Sequence, residues 1–277
     1  MSGAGPRTAA ESAGRRAIEL DAVTLARDGR VVLRGVDLSI DGGEFIGIFG
    51  PNGAGKTTLL HAILGLLRPA SGAVRVLGRA PRDAQGDVGY LPQRRGRVSD
   101  IHLCARDFIG SAVDGRRWGP PHVTAAAKAE VARVLELVDA AALAERPVAQ
   151  LSGGELQRLL IAQALIGEPR VLLLDEPLAS LDPRFQQAVV ALIKRVQQSL
   201  GITVLFTAHD LNPLLGAMDR VLYLGQGQAV LGSVDEVMTS ATLTRLYGAP
   251  IEVVRLHERI VVLSGHGAEV DGHDCDA

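Results

Sequence analysis

A glycine-rich segment with a single lysine has the composition of a phosphate-binding loop. It consists of Gly50, Pro51, Asn52, Gly53, Ala54, Gly55, Lys56 and Thr57, and Thr58 follows it. This order matches the pattern G-x-x-x-x-G-K-[ST], in which glycines let backbone N–H groups curve around phosphate oxygens. Lys56 supplies positive charge at the β- and γ-phosphates, and the Thr57 hydroxyl can bind Mg²⁺. We therefore expect a nucleoside triphosphate site at residues 50–58.

Two adjacent acids, Asp175 and Glu176, follow the apolar run 171–174 and precede Pro177. The carboxyl end of a buried strand is where doubly wound folds bind ligands. Phosphoryl transfer needs a metal to neutralise charge and a group to orient the nucleophile. Asp175 suits the Mg²⁺ shell, and Glu176 suits polarisation of an attacking water. Alone, the pair could be two ordinary surface acids, but together with the glycine-rich loop it indicates a catalytic pair.

A third motif lies at 151–158 and reads Leu-Ser-Gly-Gly-Glu-Leu-Gln-Arg. Ser152 with Glu155 three residues later is the pattern of a helix-starting capping box. A cap does not require two glycines, whereas Gly153 and Gly154 would expose N–H groups at a helix N-terminus as a second anion site. The chain thus has two phosphate-binding elements and one catalytic acid pair. Two copies related by a two-fold axis could complete two composite sites.

The elements that must position these motifs alternate between strand and helix. The phosphate-binding loop stands between a buried strand at 45–49 and a helix at 57–67. Further on, the pattern predicts helices at 155–166, 183–200 and 211–218, and strands at 171–174, 203–206 and 221–224. Such alternation predicts a parallel sheet with helices on both faces. Strands at 18–25 and 31–40, with short strands at 73–77 and 88–90, precede or flank this part of the chain.

The region from 94 to 149 breaks the alternation. We expect an irregular stretch up to 123 and a helix at 124–138, because Ala127, Val131, Val134 and Leu135 share one helical face. The predicted organisation is a disordered lead-in at 1–16, one nucleotide-binding domain at 17–250 with a helical insert at about 94–165, and a strand-like segment with a polar tail at 251–277.

Composition limits the class of protein. The chain has 277 residues, 47% of them hydrophobic, and a formal charge of −2, which argues against a protein that coats nucleic acid. The two cysteines, Cys104 and Cys275, cannot form a disulfide framework, and we expect Cys104 to be a small buried hydrophobe. No apolar run approaches the ~18–20 residues that span a bilayer, and residues 1–16 lack the apolar core of a secretory signal.

The order of these motifs resembles the nucleotide-binding subunit of an ABC transporter over residues 18 to 248. The resemblance implies a P-loop NTPase fold of the ABC type: an α/β fold with a mostly parallel core sheet, an N-terminal antiparallel β-subdomain and a helical insert. It also implies roles for individual residues. Gln93 would contact Mg²⁺ and sense the membrane subunit, and His209 would hold the γ-phosphate and Glu176. Ser152 and Gly154 would touch the γ-phosphate bound by the opposite protomer, and Asp182 would line the dimer seam.

Two of these residues have simpler interpretations. Gln93 could be a solvated loop glutamine, and His209, which follows an apolar strand, could be structural. The chain also departs from the family at the turn of residues 26–29, where members usually carry an aromatic that stacks on adenine. Here the turn contains Arg27 and no aromatic. Arg27 could stack its guanidinium on the base, or the base could be held weakly, so the base selectivity stays open.

The resemblance further implies cofactors and partners. ATP and Mg²⁺ are the expected cofactors, and hydrolysis is the expected reaction. The expected partners are a second copy in an ATP-sandwich dimer, an integral membrane permease and an extracytoplasmic substrate-binding protein, but no nucleic acid. The expected location is the cytoplasmic face of the inner membrane, as a peripheral protein.

Within the family the chain is similar to subunits of zinc and manganese uptake systems, through 89–95, 243–248 and the strand-like 251–263. The cargo could instead be a ferric siderophore or haem. A soluble ABC ATPase acting on ribosomes or DNA fits less well, because there is one domain and no coiled coil. A small-molecule kinase would have no use for 151–158. The insert, with Arg94, Arg95, Arg97, Arg116 and Arg117, would meet the permease or form a solvated face. His266, His273, Asp274 and Cys275 could bind metal, although a disordered polar end is the simpler interpretation.

Overall fold

The computed structural model describes residues 16–93, 103–113, 124–179 and 181–264. Of the predicted lead-in, only Arg16 is described, and it begins the first strand. The arginines of the insert at 94–97 and 116–117, Ser180, and the polar tail from 265 with its four candidate metal ligands lie outside the described residues.

Eleven strands and seven helices are formed by the described residues. The strands are β1 (Arg16–Arg27), β2 (Arg30–Asp41), β3 (Phe45–Phe49), β4 (Ser71–Val76), β5 (Val88–Leu91), β6 (Val171–Leu174), β7 (Thr203–Thr207), β8 (Arg220–Gly225), β9 (Gln228–Gly232), β10 (Ile251–Leu256) and β11 (Arg259–Ser264). The helices are α1 (Lys56–Ile63), α2 (Ala105–Val113), α3 (Ala125–Leu137), α4 (Gly153–Ala164), α5 (Pro183–Leu200), α6 (Val234–Val237) and α7 (Ser240–Tyr247).

The central sheet has six strands in the order β5-β6-β7-β3-β8-β9. All neighbours in it are parallel except β8 and β9, which pair antiparallel at the edge. Successive residues of its strands enter two different cores: Leu172 and Phe206 face the helices, while Leu173 and Leu205 face α1 and the antiparallel strands. Both faces are covered, which explains the unbroken apolar runs seen in the sequence.

A separate antiparallel sheet lies over one face, with strand order β2-β1-β4. The pairing of β1 with β2 has irregular register, and β2 buries Leu33, Val36 and Ile40 in the core that it shares with α1 and the central sheet. The predicted fold class, a mostly parallel core sheet with an antiparallel N-terminal sheet and helices, is confirmed.

The insert contains a helix that the sequence did not reveal. Residues predicted to be irregular include α2, which packs on α3 and α4 and buries Ala105 and Ile109 one helical turn apart. The predicted burial of Cys104 is wrong. Its side chain is only half-buried, and its thiol donates a hydrogen bond of 3.0 Å to Asp107 Oδ2.

The predicted helix at 211–218 is also wrong, because only a short 3₁₀ turn forms, at Asn212–Leu214. Pro213 and Gly216 oppose a longer helix, and the apolar spacing arises because Leu211, Leu214 and Met218 are buried from a compact loop. Similarly, α1 stops at Ile63 rather than near 67, and Gly65 then takes a left-handed conformation with φ 72°.

The chain then continues through elements that were not predicted: the edge strand β9 and the helices α6 and α7. It ends, within the described residues, in the hairpin β10–β11, whose register pairs Val253 with Val262. No helix among the described residues is both long and apolar enough to cross a membrane.

Candidate nucleotide-binding site

The loop between β3 and α1 has the backbone that a phosphate cradle requires. Gly50, Gly53 and Gly55 have φ values of 141°, 80° and 102°, which L-residues rarely adopt. At Gly50 the space is closed as well, since a Cβ would lie 2.2 Å from the Leu224 carbonyl oxygen. Gly55 precedes α1, so the N–H groups of the loop and of the first helical turn converge on one spot.

Lys56 is held across this loop. Its Nζ donates hydrogen bonds to the carbonyl oxygens of Gly50 at 2.7 Å and Pro51 at 3.3 Å, and the residue is only 7% exposed. Burial lowers the pKa of Lys56, and the carboxylates of Glu176 and Asp175 oppose that shift. An anionic ligand at the loop would favour the charged ammonium for the same reason as these carboxylates do.

Asp175 is 2% exposed and both of its carboxylate oxygens accept hydrogen bonds. Thr57 donates to Oδ2 at 2.9 Å, and Thr207, at the end of β7, donates to Oδ1 at 2.8 Å. The backbone N–H of Asp175 is bound by the Leu91 carbonyl at 2.8 Å, so the last residues of β5 and β6 fix the backbone of this acid.

The chemistry of this donor set fits Mg²⁺. Thr57, Asp175 and the side-chain carbonyl of Gln93 offer hard oxygen ligands at one edge of the sheet. The described residues hold no group of three or more His, Cys, Asp or Glu side chains that could enclose a metal. Mg²⁺ typically binds through one or two carboxylates together with substrate phosphates, so a partial protein shell beside a phosphate loop is what this metal requires.

Glu176 is fixed from three sides. Its N–H donates to Thr207 Oγ1 at 2.8 Å, Gln93 Nε2 donates to its Oε2 at 2.5 Å, and His209 Nε2 lies 2.8 Å from its Oε1. The Glu176 side chain is 13% exposed, and its backbone φ of 52° is unusual for a residue other than glycine. A carboxylate held in this way can polarise a water molecule above the loop.

These groups line one open cleft of about 730 Å³. The predicted residues in its lining are Arg27, Asn52, Gly53, Ala54, Gly55, Lys56, Thr57, Thr58, Gln93, Glu176 and His209. Gly50, Pro51 and Asp175 lie directly behind this lining, in contact with Lys56 or Thr57.

The far end of the cleft is formed by the β1–β2 turn and is charged. Arg27, Asp28, Arg30 and Val32 line it, and none of the described lining residues is Phe, Trp or Tyr. Arg27 Nε lies 3.8 Å from Asp28 Oδ2, and both side chains are at least half exposed. A guanidinium plane is therefore available at this end of the cleft.

The third motif forms a capped helix N-terminus, and its residues are not among the described ones that line the nucleotide cleft. Ser152 and Glu155 form a full capping box, with the Ser152 N–H and hydroxyl both 2.8 Å from Glu155 Oε2. These hydrogen bonds lower the pKa of Glu155, with the backbone N–H of Ser152 as the largest cause. The capping box and the anion-site interpretation are compatible, since Gly153 and Gly154 form the first turn of α4.

A second helix start packs beside this one. Asp182 caps α5 by accepting from the N–H groups of Arg184 and Phe185, and the half-exposed Phe185 ring covers Gly154. A Cβ on Gly154 would lie 2.8 Å from that ring. Among the described residues that line the nucleotide cleft, none comes from Ser152, Gly153, Gly154 or Asp182.

Sequence reasoning missed Thr207, Asp28, Arg30 and Val32. Thr207 had an available signal, because it ends a buried strand next to the strand that carries the two acids. The other three lie in or beside the β1–β2 turn, and only the fold brings that turn over the cleft.

Comparisons with known proteins give relatives of one kind, namely ATP-binding proteins of transport systems. The sequence profile described as ABC transporter matches residues 33–179. The zinc import ATP-binding protein ZnuC of Paramagnetospirillum magneticum is 36% identical over 252 residues, 91% of this chain and 90% of its own. The zinc transport system ATP-binding protein TroB of Treponema pallidum is 35% identical over 266 residues, 96% of this chain and 97% of its own.

Two solved structures are similar as well. One is cbiO1 from Clostridium perfringens, part of the ABC transporter complex cbiONQ, with 25% identity, 83% and 94% coverage of the two chains and a TM-score of 0.72. A nucleotide-free ATP-binding cassette from an ABC transporter, at 21% identity with 85% and 96% coverage and a TM-score of 0.69, shares the fold.

Proposed function

The chain belongs to the ABC transporter family of ATP-binding proteins, and we propose that it hydrolyses ATP to drive zinc import through a separate membrane permease. It is an ATPase that binds ATP and works as part of a transporter complex. The observation that carries the proposal is the position of Glu176 between Gln93 and His209, beside Asp175 and the phosphate loop.

The phosphate loop holds the triphosphate in this proposal. Backbone N–H groups of residues 52–58 bind the β- and γ-phosphate oxygens, and the Lys56 ammonium neutralises part of their charge. Thr57, Asp175 and Gln93 would hold Mg²⁺, which when bound would supply positive charge beside the phosphates. The hydrogen bond between Thr57 and Asp175 supports this assignment, because it brings two oxygen ligands to one point.

Glu176 orients the attacking water and accepts its proton. His209 and Gln93 fix the two carboxylate oxygens, so little reorganisation is needed when the reaction begins. His209 also reaches the γ-phosphate, and Gln93, two residues beyond the end of β5, reports the state of the site to the permease. Loss of the γ-phosphate on hydrolysis would then change the surroundings of both His209 and Gln93.

A second copy completes each site. Ser152, Gly153 and Gly154 of one protomer bind the γ-phosphate held by the other, and Asp182 lines the seam between them. The support for this is that the two helix starts bearing these residues pack on each other through Phe185 and Gly154, yet lie away from the chain's own cleft. In a two-fold dimer, these residues of one copy would face the nucleotide cleft of the other copy.

Arg27 stacks its guanidinium on the base in place of an aromatic ring. A planar guanidinium stacks on π-systems without hydrogen bonds that distinguish one base edge from another. The exposed position of Arg27 in the cleft supports modest base selectivity.

The names of two relatives support the proposed cargo. Two relatives that share most of their length with this chain are named for zinc. We propose a peripheral position on the cytoplasmic face of the inner membrane, an extracytoplasmic zinc-binding protein as a further partner, and no nucleic acid. We also propose the domain division at 17–250 and 251–277, with the helical insert at about 94–165.

Reconstitution tests the cargo. The full chain is assembled with its permease and binding protein in proteoliposomes, and ATP-dependent uptake of zinc, manganese, a ferric siderophore and haem is measured separately. We expect zinc uptake that stops when Glu176→Gln replaces the wild-type chain. Uptake of haem or siderophore without zinc would overturn the cargo, and uptake that does not depend on ATP would overturn the whole assignment.

A further inference from the structure

The C-terminal hairpin β10–β11 packs against the loop that carries His209. Ile251 and Ile260 of the hairpin are buried in the same core as Leu211 and Leu214, which follow His209 in the chain. The hairpin is therefore packed on the rest of the chain. One segment of the core that it shares begins at Leu211, two residues after His209.

A single side chain joins the two elements by hydrogen bonds. Asn212 Oδ1 accepts from the N–H of Ile260 at 2.9 Å, and Asn212 Nδ2 donates to the Ile260 carbonyl at 3.0 Å. The amide thus pairs with both backbone polar groups of one residue, as a neighbouring strand would. This arrangement fixes β11 to the loop in both position and orientation.

The same asparagine is tied to the residue that follows His209. Asp210 Oδ1 accepts from the backbone N–H of Asn212 at 2.9 Å and from its Nδ2 at 2.8 Å. Asp210 is bonded to His209, whose Nε2 lies 2.8 Å from Glu176 Oε1. A continuous path therefore runs from the hairpin to the carboxylate, through Ile260, Asn212, Asp210 and His209.

We propose that Asn212 is a positioning residue that links the docked hairpin to His209 and so sets the geometry of Glu176 during hydrolysis. The inference rests on the proposed roles of His209 and Glu176. Asn212 does not touch the nucleotide cleft, so it acts only through the loop. A partner that lifts the hairpin would, by this path, slow hydrolysis without displacing ATP.

The chain offers a matched control on the other strand of the hairpin. Thr244 Oγ1, on α7, accepts from the N–H of Ile251 at 2.9 Å and donates to its carbonyl at 3.3 Å. This is the same kind of two-hydrogen-bond contact between a side chain and one hairpin residue. None of the hydrogen bonds described for Thr244 leads to the loop of His209, so Thr244→Ala loosens the hairpin without breaking the proposed path.

The test measures kcat and KM for ATP on the full chain, assembled with its permease. Asn212→Ala should lower kcat about 3- to 30-fold, the range that one or two hydrogen bonds supply, with KM unchanged within about twofold. Thr244→Ala should leave kcat within about twofold of the wild type. Asp210→Ala, which keeps the contact between Asn212 and Ile260, should resemble Asn212→Ala and serves if that variant does not fold.

A double variant decides whether Asn212 acts through His209. The double variant His209→Ala with Asn212→Ala should turn over ATP no more slowly than His209→Ala alone. His209→Ala already removes the residue through which Asn212 is proposed to act, so the second substitution has nothing further to disturb. Multiplicative losses, equal losses in Asn212→Ala and Thr244→Ala, or a normal kcat in both Asn212→Ala and Asp210→Ala would overturn the proposal. Normal turnover in His209→Ala would instead reject the role of His209 on which the proposal rests.

Discussion

The Thr57 hydroxyl donates a hydrogen bond of 2.9 Å to Asp175 Oδ2, although Thr57 lies in the first turn of α1, after β3, and Asp175 follows β6, which β7 separates from β3 in the sheet. The contact is possible because β7 ends at Thr207, which itself donates to Asp175 Oδ1. The ends of β6 and β7 and the start of α1 thus meet at one carboxylate, and we propose that Mg²⁺ lies at this junction, between the protein and the phosphates.

Removing the Thr57 hydroxyl should weaken the metal site. We expect Thr57→Ala to raise the Mg²⁺ concentration for half-maximal hydrolysis about tenfold, because one oxygen ligand and one partner of a buried carboxylate are lost. Thr57→Ser keeps the hydroxyl and should stay within about threefold of the wild type. A Mg²⁺ titration of the steady-state rate measures both, and equal behaviour of the two variants would count against Thr57 as a ligand.

The charged end of the cleft can be converted to the more usual aromatic one. Arg27→Ala should weaken ATP binding about fivefold, and Arg27→Tyr should restore or exceed wild-type affinity, since base–aromatic stacking contributes about 1–3 kcal/mol. Calorimetric titration with ATP and GTP measures affinity and base preference. Unchanged affinity in both variants would show that the base does not lie on Arg27.

The composite site can be tested by mixing two inactive chains. Homodimers of Lys56→Ala or of Ser152→Ala should be inactive, because every site contains one lesion. In a mixed dimer both lesions fall in the same site, and the other site contains wild-type Lys56 and Ser152. We therefore expect hydrolysis to return, up to about half of the wild-type rate if the two sites act independently. Mixed dimers as inactive as either parent would indicate that each chain completes its own site.

The Glu130 carboxylate links the insert to the core, and its titration should make the free energy of unfolding depend on pH. Glu130 on α3 accepts from Arg133 Nε and Nη2 at 2.8 and 2.7 Å and from the Gly167 N–H at 2.9 Å. These hydrogen bonds, the one from Arg133 first, hold the pKa of Glu130 below its ordinary value of 4.5. A lowered folded pKa means that this stabilisation is present above pH 4.5 and is lost as the pH falls through the folded pKa.

Urea unfolding of Glu130→Gln should follow that pH dependence. We expect the variant to be less stable than the wild type by about 1 kcal/mol at pH 7, and the difference to shrink towards pH 3. Glu168→Gln, which removes an exposed acid 3.8 Å from Arg133, should change the free energy of unfolding by less than about 0.5 kcal/mol. A difference for Glu130→Gln that is constant with pH would contradict this prediction.

The parts predictable from sequence are those whose signal is local. Glycines in register with Lys56 predict the phosphate loop, and unbroken apolar runs such as 171–174 predict the buried strands. The prediction of a helix after β7 is wrong because Leu211, Leu214 and Met218 have helical spacing but are buried from a compact loop that contains a short 3₁₀ turn. The contact between Asn212 and Ile260 spans 48 residues, and a single sequence carries no trace of such a pairing.

The most direct test of the proposed mechanism is the variant Glu176→Gln, with Glu168→Gln as the control for removing an exposed acid. ATP affinity, ATP-dependent dimerisation by light scattering, and turnover with the permease present are measured together. We expect Glu176→Gln to bind ATP as the wild type does, to accumulate as an ATP-bound dimer, and to lose about 10²–10⁴-fold in turnover, as removal of a positioned base should. Turnover close to that of the wild type would contradict the assignment of Glu176 and the mechanism built on it.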